Sequence, residues 1–351
     1  RQRIVLRRAR ARLIANGEHE QAKQLDREYE FAGKSTCATD GLCAIDCPVS
    51  INTGDLIKQL RRSDTSKSDR WIAQKIACNF VWAERAVGVA MNFGRVADSV
   101  LGSRRLSGVT GFFARWIPGF PQWHAGLAID WKKINKDWLG DESEAEWIYW
   151  PTCMSRMMDG SIAAITEVCY RAESPIAIPR NAWGHCCGQA FSSKGYLDAA
   201  VYKQAKLLDA MWEWSRHGAR PVVVDLGSCS SFLKQPLEDL DVVRKDRVKR
   251  MKIWDSVELA RELLPRLDID PLDQPLAIHS VCSNNKSGLE EPMLEVARAC
   301  STQVHQPLQG KCCGMGGDRG FEHPGLLLAA GGSVTGEMEH ADCDVGYTNA
   351  R

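Results

Sequence analysis

The sequence predicts an α/β protein in which a helical N-terminal part precedes two repeated α/β units that are rich in cysteine. Up to residue 145, apolar residues recur with helical spacing around one short cysteine-rich loop. From residue 146 onward, short continuous apolar runs alternate with helical stretches, which is typical of a parallel sheet covered on both faces. A cysteine pattern occurs twice in this second half at nearly the same offset, which predicts a repeated unit.

The composition is that of an ordinary folded protein. Of 351 residues, 44% are hydrophobic and 25% are charged, which excludes disordered, collagenous and coiled-coil chains. Lys and Arg number 45 against 44 Asp and Glu, so no nucleic acid is expected as a partner of the whole molecule. The 14 cysteines are too small a fraction of 351 residues for a scaffold held by disulfides. Since no disulfide pattern is evident, a reducing cytoplasmic compartment is expected. No apolar run is long enough for a transmembrane segment, and peripheral association with the inner face of a membrane is left open.

The region 1–145 is predicted to be a helical domain with a helical linker. A helix is expected over 3–31 with a break at Asn16-Gly17, and its six early arginines favour a cationic amphipathic helix over a transit peptide. A capped helix is expected to begin near Asn52 or Thr53. Helical periodicity then continues to Ala97. Apolar sequence with Gly and Pro follows over 102–126, and a charged linker over 130–145.

The cysteine loop, residues 36–48, has the spacing C-x5-C-x3-C-P through Cys37, Cys43, Cys47 and Pro48. Bacterial ferredoxin loops run C-x2-C-x2-C-x3-C-P, which makes this part ferredoxin-like. Asp40 occupies the position of the absent cysteine. Three roles remain open for it: an oxygen ligand of the cluster, a position without a ligand beside a three-iron cluster, or a turn residue. Zinc would need a second pair of ligands at suitable spacing, so an iron–sulfur cluster is the favoured interpretation.

The two α/β units are each defined by a strand that ends in cysteine and by a later Cys-Cys-Gly. Residues 147–153 resemble 276–282, and residues 185–189 resemble 311–315. Strands are predicted at 147–150, 175–178, 221–224 and 275–278. The units are expected to span 146–272 and 273–351, the second lacking its last ligand because the sequence ends before that position.

Cysteines at strand ends converge on the carboxyl edge of a parallel sheet, where binding sites form. We name Cys153, Cys186, Cys187 and Cys229 the first thiol set, and Cys282, Cys312 and Cys313 the second thiol set. The other four cysteines lack partners at motif spacing and are interpreted as buried, inert thiols; they are Cys78, Cys169, Cys300 and Cys343.

Other polar residues near these motifs carry weaker signals. His185 and His279 flank the cysteine motifs and could support the ligands or donate protons. Asp318 and Arg319 are interpreted as a solvated or structural ion pair rather than a substrate or subunit contact. No recognisable motif for binding FAD, NAD or ATP is present.

These motifs resemble the cysteine-rich domain shared by the Cys-Cys-Gly subunit of heterodisulfide reductase, the glycolate oxidase iron–sulfur subunit and FAD-linked D-lactate dehydrogenases. The resemblance is strongest to the last family, over residues 1–8, 37–43, 47–56 and 312–320. It implies an oxidoreductase independent of NAD, with a preceding FAD-binding module, of which this chain would be a fragment inactive by itself. The fragment would relay electrons from FAD to a quinone or cytochrome through iron–sulfur clusters, of the 4Fe-4S type. The implied cluster ligands are Cys37, Cys43, Cys47, Cys153, Cys186, Cys187, Cys229, Cys282, Cys312 and Cys313.

Two alternatives remain open, and the catalytic residues are unknown. In a heterodisulfide reductase-like subunit the Cys-Cys-Gly site would itself be the reaction centre. Cys229 is followed by Ser230-Ser231-Phe232, where that branch would have C-x2-C, which argues against a disulfide-cleaving site. The other alternative is a zinc-binding or purely structural module.

Overall fold

The computed structural model describes residues 2–45, 47–116, 122–123, 135–158, 161–307 and 312–349. The chain divides into two units. The terminal unit combines Arg1–Gln74, Gln189–Ala200 and Asp270–Asn349, and the central unit is built from Lys75–Gly188 and Val201–Ile269. The domain boundaries expected at residues 145 and 272 were placed by sequence pattern, and they stay a prediction.

Helices dominate both units. In the described residues they are α1 (Gln2–Ala15), α2 (His19–Tyr29), α3 (Leu42–Ile45), α4 (Thr53–Asp64), α5 (Lys67–Cys78), α6 (Phe80–Leu101), α7 (Ser103–Trp116), α8 (Cys153–Met158), α9 (Ser161–Arg171), α10 (Gln189–Lys194), α11 (Leu197–Trp214), α12 (Gly227–Lys234), α13 (Val242–Arg250), α14 (Ser256–Leu263), α15 (Cys282–Ser287), α16 (Glu290–Cys300), α17 (Arg319–Glu322) and α18 (Pro324–His340). A π-helix at Glu30–Ser35 continues α2, and short 3-10 turns lie at Lys136–Trp138 and Leu264–Arg266.

The strands are short and form two parallel sheets. They are β1 (Trp147–Trp150), β2 (Ile176–Ala177), β3 (Val222–Val224), β4 (Ile253–Asp255), β5 (Leu272–Ile278), β6 (Ser301–His305) and β7 (Val345–Tyr347). The central unit has the order β2-β1-β3-β4 and the terminal unit the order β6-β5-β7. The α/β class predicted from the sequence is therefore confirmed.

The central sheet is covered on both faces, which explains its continuous apolar strands. Ile148 and Trp150 of β1 pack with Leu207 of α11 and Leu233 of α12 in one core cluster. The intervening Trp147 and Tyr149 point to the other face and pack with α9 and α14. Because alternate side chains of a strand point to opposite faces, a strand between two helical layers has to be apolar at every position.

Several predicted elements are found at the expected places. The break at Asn16-Gly17 separates α1 from α2, and α4 begins at Thr53 with Asn52 as its N-cap, whose Oδ1 accepts a hydrogen bond of 2.9 Å from the Gly54 amide. The N-cap satisfies an amide that the helix leaves without a partner.

Other elements were not predicted or lie outside the described residues. The Gly- and Pro-rich segment 102–126 contains helix α7, while its part 117–121 and residues 124–126 are not described. The expected linker 130–145 is described only from residue 135. None of the described helices has both the length and the apolar character needed to cross a membrane.

Candidate metal centre

The first thiol set is assembled by two neighbouring strands of the central sheet. Cys153 opens α8 directly after β1, and Cys229 lies in α12 directly after β3. β1 and β3 are adjacent and parallel, with Trp150 opposite Val224, so their carboxyl ends open on the same edge. Cys186 and Cys187 reach this edge in the loop that precedes α10. The predicted convergence follows directly from the topology.

The four thiols of this set meet as two pairs. The Sγ atoms of Cys153 and Cys186 are 4.0 Å apart, and those of Cys187 and Cys229 are 3.1 Å apart. All four are free thiols, and Cys186, Cys187 and Cys229 are buried, with at most 4% of their surface exposed. The Gly188 amide points at Cys186 Sγ from 3.5 Å.

The surroundings of the thiols hold them in the neutral form. The hydrogen bond to Cys186, followed by burial, raises the pKa of Cys153 well above its usual range. The hydrogen bond from Cys153 lowers the pKa of Cys186, but the bond to Cys187 and burial outweigh it and raise that pKa to about 12. A buried metal cation reverses this balance, because a coordinating cysteine binds the metal as a thiolate and releases its proton to solvent. Four neutral thiols packed at one edge are therefore a donor set suited to a metal group.

The arrangement bears on the kind of metal group that fits. Within the described ranges, no three or more His, Cys, Asp or Glu side chains surround a common point that a single metal ion could occupy. A mononuclear zinc site needs four donors about 2.1–2.3 Å from one ion. Soft thiolates are ligands both of zinc and of iron–sulfur clusters, so the donor set of this edge is compatible with either kind of metal group.

A buried ion pair that the sequence analysis missed positions these segments. Arg156 of α8 pairs with Glu84 of α6, with 2.9 Å between Nη2 and Oε2, and its side chain is 1% exposed. The guanidinium also donates to the Pro151 carbonyl at 2.5 Å and to the His185 carbonyl at 2.8 Å. It therefore ties the Cys153 segment to the Cys186 loop. The available signal was Glu84 itself, an acid within an apolar helix, which in the sequence alone only interrupts an apolar run.

Lys203 is a second buried cation at this site. It donates to the Gly184 carbonyl at 2.8 Å and lies 4.7 Å from the Phe80 ring centroid. Burial lowers its pKa, while the thiols of Cys186 and Cys153 oppose that change. Burial also lowers the pKa of His185 to about 4, helped by Lys203 and Arg156, which makes the imidazole neutral near pH 7. The fixed positive charge near the thiols therefore comes from Arg156 and Lys203.

Asp225 connects β3 to the turn before Cys153. Its carboxylate accepts a hydrogen bond of 2.6 Å from the Tyr149 hydroxyl and one of 3.0 Å from the Thr152 amide. All three residues are buried. Asp225, at the end of β3, thus fixes the turn that precedes Cys153 through its hydrogen bond with the Thr152 amide.

The second thiol set lies in the terminal unit. Cys282 opens α15 after β5, and Cys312 and Cys313 precede α17. The Gly314 amide lies 3.4 Å from Cys312 Sγ, and in the first thiol set the Gly188 amide lies 3.5 Å from Cys186 Sγ. Burial, and next the charge of Asp40, raises the pKa of Cys282 to about 12. Burial also raises the pKa of Cys312.

The cysteine loop of the same unit is held by Arg61 of α4. Its guanidinium donates to the carbonyls of Cys37 at 2.8 Å, Lys34 at 2.7 Å and Ser193 at 2.5 Å. Cys37 is buried against Tyr29 and Ile57, and Cys43 Sγ lies 3.3 Å from Thr53 Oγ1. The loop is therefore a preorganised turn.

The structure places the cysteine loop beside the second thiol set. Gly316 has a φ of +52°, and a Cβ atom there would lie 2.8 Å from Ala38 Cβ, so the two loops touch at a position where only glycine fits. Asp40 Oδ1 accepts a hydrogen bond of 3.2 Å from the Leu42 amide, which is the geometry of a turn residue. Its charge also acts on Cys282 and Cys312. Asp40 thus acts on the second thiol set from within the cysteine loop.

The other residues singled out in the sequence differ in their surroundings. Cys169 and Cys343 are buried as expected and Cys300 is half-buried, but the expectation of a buried thiol is wrong for Cys78, which is exposed near the C-terminal end of α5. Burial raises the pKa of Cys169 to about 12, as expected of an inert core thiol. Asp318 forms ion pairs with Lys194 and Arg319, and burial lowers the pKa of His279.

The central unit is thus a cysteine-rich α/β module in which four thiols converge at one edge of the sheet. Comparison with family models agrees, because residues 147–234 match the CCG cysteine-rich domain. This match contains all four cysteines of the first thiol set and indicates a metal- or iron–sulfur-binding module. No curated protein and no solved structure matches the chain.

Proposed function

We propose that this chain is the iron–sulfur electron-transfer portion of a flavin-linked dehydrogenase that oxidises D-lactate or a related D-2-hydroxy acid. In this proposal electrons pass from FAD, on a flavin module, to a quinone or cytochrome. The observation that carries it is the meeting of four thiols, three of them buried, at one sheet edge within a segment that matches the CCG domain. The sequence resemblance supplies the flavin and the substrate class.

Cysteines of the first thiol set would hold a cluster, most simply of the 4Fe-4S type, and a bound cluster supplies one-electron redox chemistry. Burial of Cys186, Cys187 and Cys229 would keep water away from it. Arg156 and Lys203 would stabilise the negative charge added on reduction, because both are buried cations beside the thiols. His185, neutral near pH 7, would add no charge.

A second binding region in the terminal unit supports a relay rather than a single redox site. The cysteine loop contacts the loop of the second thiol set at Ala38 and Gly316. The carboxylate of Asp40 acts on Cys282 and Cys312 of that set. Groups bound by neighbouring loops would be close enough to exchange electrons without a mobile carrier.

The direct test of this proposal uses the chain reconstituted with iron and sulfide under anaerobic conditions. We expect reduced flavin to reduce it, producing an electron paramagnetic resonance signal, and a soluble quinone to reoxidise it. Cys187→Ser should weaken this signal, whereas Cys169→Ser, also at a buried cysteine, should leave it intact.

Two results would contradict the relay. One is failure of reduced flavin to transfer electrons to the reconstituted protein. The other is cleavage of a disulfide substrate without any flavin, which would instead support a heterodisulfide reductase-like centre. Phe232, which stands where that branch would have a cysteine, packs against the apolar core of the central unit.

A further inference from the structure

Helix α6 carries an exposed apolar stripe along its whole length. Trp82, Ala86, Val89, Phe93, Val96 and Val100 are spaced alternately four and three residues apart, which places them on one side of a helix. All six are exposed, and the exposed fraction reaches 68% for Trp82, 73% for Phe93 and 76% for Val100. A stripe of this size in water marks an interaction surface.

Helix α7 extends this exposed apolar surface. Val109, Phe112 and Trp116 repeat the same spacing, and Trp116 is 72% exposed. Phe112 also makes an edge-to-face contact with Phe113, with 5.9 Å between ring centroids. The two helices pack against each other within the central unit.

The opposite side of the helix pair is filled by Trp123. Its indole Nε1 donates to Asp98 of α6 at 3.1 Å, and its amide donates to Thr110 Oγ1 of α7 at 2.9 Å. A Cβ atom on Gly94 would lie 2.1 Å from the Trp123 ring, so the ring packs directly on the helix backbone. The side of the pair that has a partner is thus distinct from the apolar stripe.

The exposed charges on these two helices are all positive. Arg85, Arg104, Arg105 and Arg115 are exposed. The two acids between residues 80 and 116 are both engaged, since Glu84 is buried against Arg156 and Asp98 accepts from Trp123. An exposed surface with large aromatic residues and arginines, and without exposed acids, is complementary to an anionic one.

We propose that α6 and α7 dock on an anionic lipid bilayer, lying in the headgroup region with the apolar stripe turned toward the acyl chains. Amphipathic helices with Trp and Phe on one face and arginine beside it bind membranes in this way. Tryptophan suits this interface because its ring is apolar and its N–H is polar. A second copy of the chain fits less well, because it would bring arginines against arginines. The inference rests on this surface alone and does not depend on a bound cluster.

Vesicle co-sedimentation of the 351-residue chain tests the proposal. We expect binding to vesicles of phosphatidylcholine with about one third phosphatidylglycerol, and binding about tenfold weaker or more to phosphatidylcholine alone. Raising the salt from about 0.1 M to about 1 M should weaken binding only to the anionic vesicles. The double variant Val89→Glu, Phe93→Glu should reduce the partition coefficient about tenfold or more.

The matched control is Val242→Glu, Val243→Glu on α13, at positions 81% and 61% exposed in the same unit. It should bind vesicles like the parent chain, and circular dichroism should show that both double variants are folded. Equal vesicle binding by the two double variants would overturn the proposal, as would absence of binding by the parent chain. A dimer in light scattering that only Val89→Glu, Phe93→Glu dissociates, without vesicle binding, would assign the surface to self-association instead.

Discussion

Arg156 ties together two of the segments that carry the first thiol set. Its side chain is 1% exposed and pairs with Glu84, while it also donates to two loop carbonyls. Removing one partner of a buried pair leaves an uncompensated charge, and this costs more than the pair itself contributes.

We therefore expect Glu84→Gln to destabilise the protein by about 3–5 kcal/mol in urea unfolding. The control is Glu167→Gln, whose partner Arg171 is 68% exposed, and that change should cost about 0–1 kcal/mol. Equal destabilisation by the two variants would show that the Glu84–Arg156 pair does not hold the site.

The negative charge of Asp40 affects the pKa values of two thiols in the second thiol set, Cys282 and Cys312. Because that charge contributes to the raised pKa values of Cys282 and Cys312, Asp40→Asn should lower both. The pH dependence of alkylation at each thiol, followed by mass spectrometry in the metal-free chain, should shift to lower pH. Asp55→Asn on α4 is the control, and an identical pH profile for both variants would contradict the placement of Asp40.

His185 provides a stability prediction with a defined sign. Its pKa falls from 6.5 to about 4 in the folded chain, mainly through burial. The unfolded state therefore binds the proton more readily, so the stability present above pH 6.5 is lost as pH falls toward 4. In the metal-free chain, His185→Gln should flatten the stability profile over this range, whereas His19→Gln on exposed α2 should not. A profile unchanged by His185→Gln would show that another group controls this range.

At the scale of elements, helix α4 presents two residues that shape the cysteine loop. Asn52 caps its N-terminus and Arg61 reaches back to the loop carbonyls. Loss of a cap typically costs about 0.5–2 kcal/mol, so Asn52→Ala should lower the free energy of unfolding by that amount. Asn52→Asp preserves a capping oxygen and should restore most of it. An equal loss of unfolding free energy in both variants would indicate that the side-chain amide of Asn52, and not its capping oxygen, stabilises the protein.

The elements also show what could be read from the sequence. β1 and β3 were predictable because both are continuous apolar runs, which a sheet covered on two faces requires. β4, Ile253–Asp255, was not, because three residues between charged segments carry no periodicity of their own. Helix α7 was missed because its glycines lower helix propensity, while its packing on α6 is a tertiary effect.

The candidate site also has a part that the sequence predicts and a part that it does not. Spacing predicted that the cysteines of the first thiol set would meet, because adjacent parallel strands bring their carboxyl ends together whatever the intervening sequence is. The partners across large sequence separations were not predictable. Glu84 pairs with Arg156, and Asp40 acts on Cys282, only through tertiary packing.

At the scale of the whole molecule, the central and terminal units each carry thiols on the carboxyl side of a small parallel sheet. The central unit has its complete first thiol set within residues 147–234, the region that matches the CCG domain. The terminal unit combines the cysteine loop with the second thiol set. We propose that both units bind metal through these thiols.

The most direct test of that claim is the iron and acid-labile sulfide content of the anaerobically reconstituted chain, measured together with its electron paramagnetic resonance spectrum after reduction. We predict bound iron and sulfide in similar amounts, a loss of part of both in Cys187→Ser, and no loss in Cys169→Ser. Zinc bound in place of iron, or iron content that is the same in both variants and in the parent chain, would contradict it.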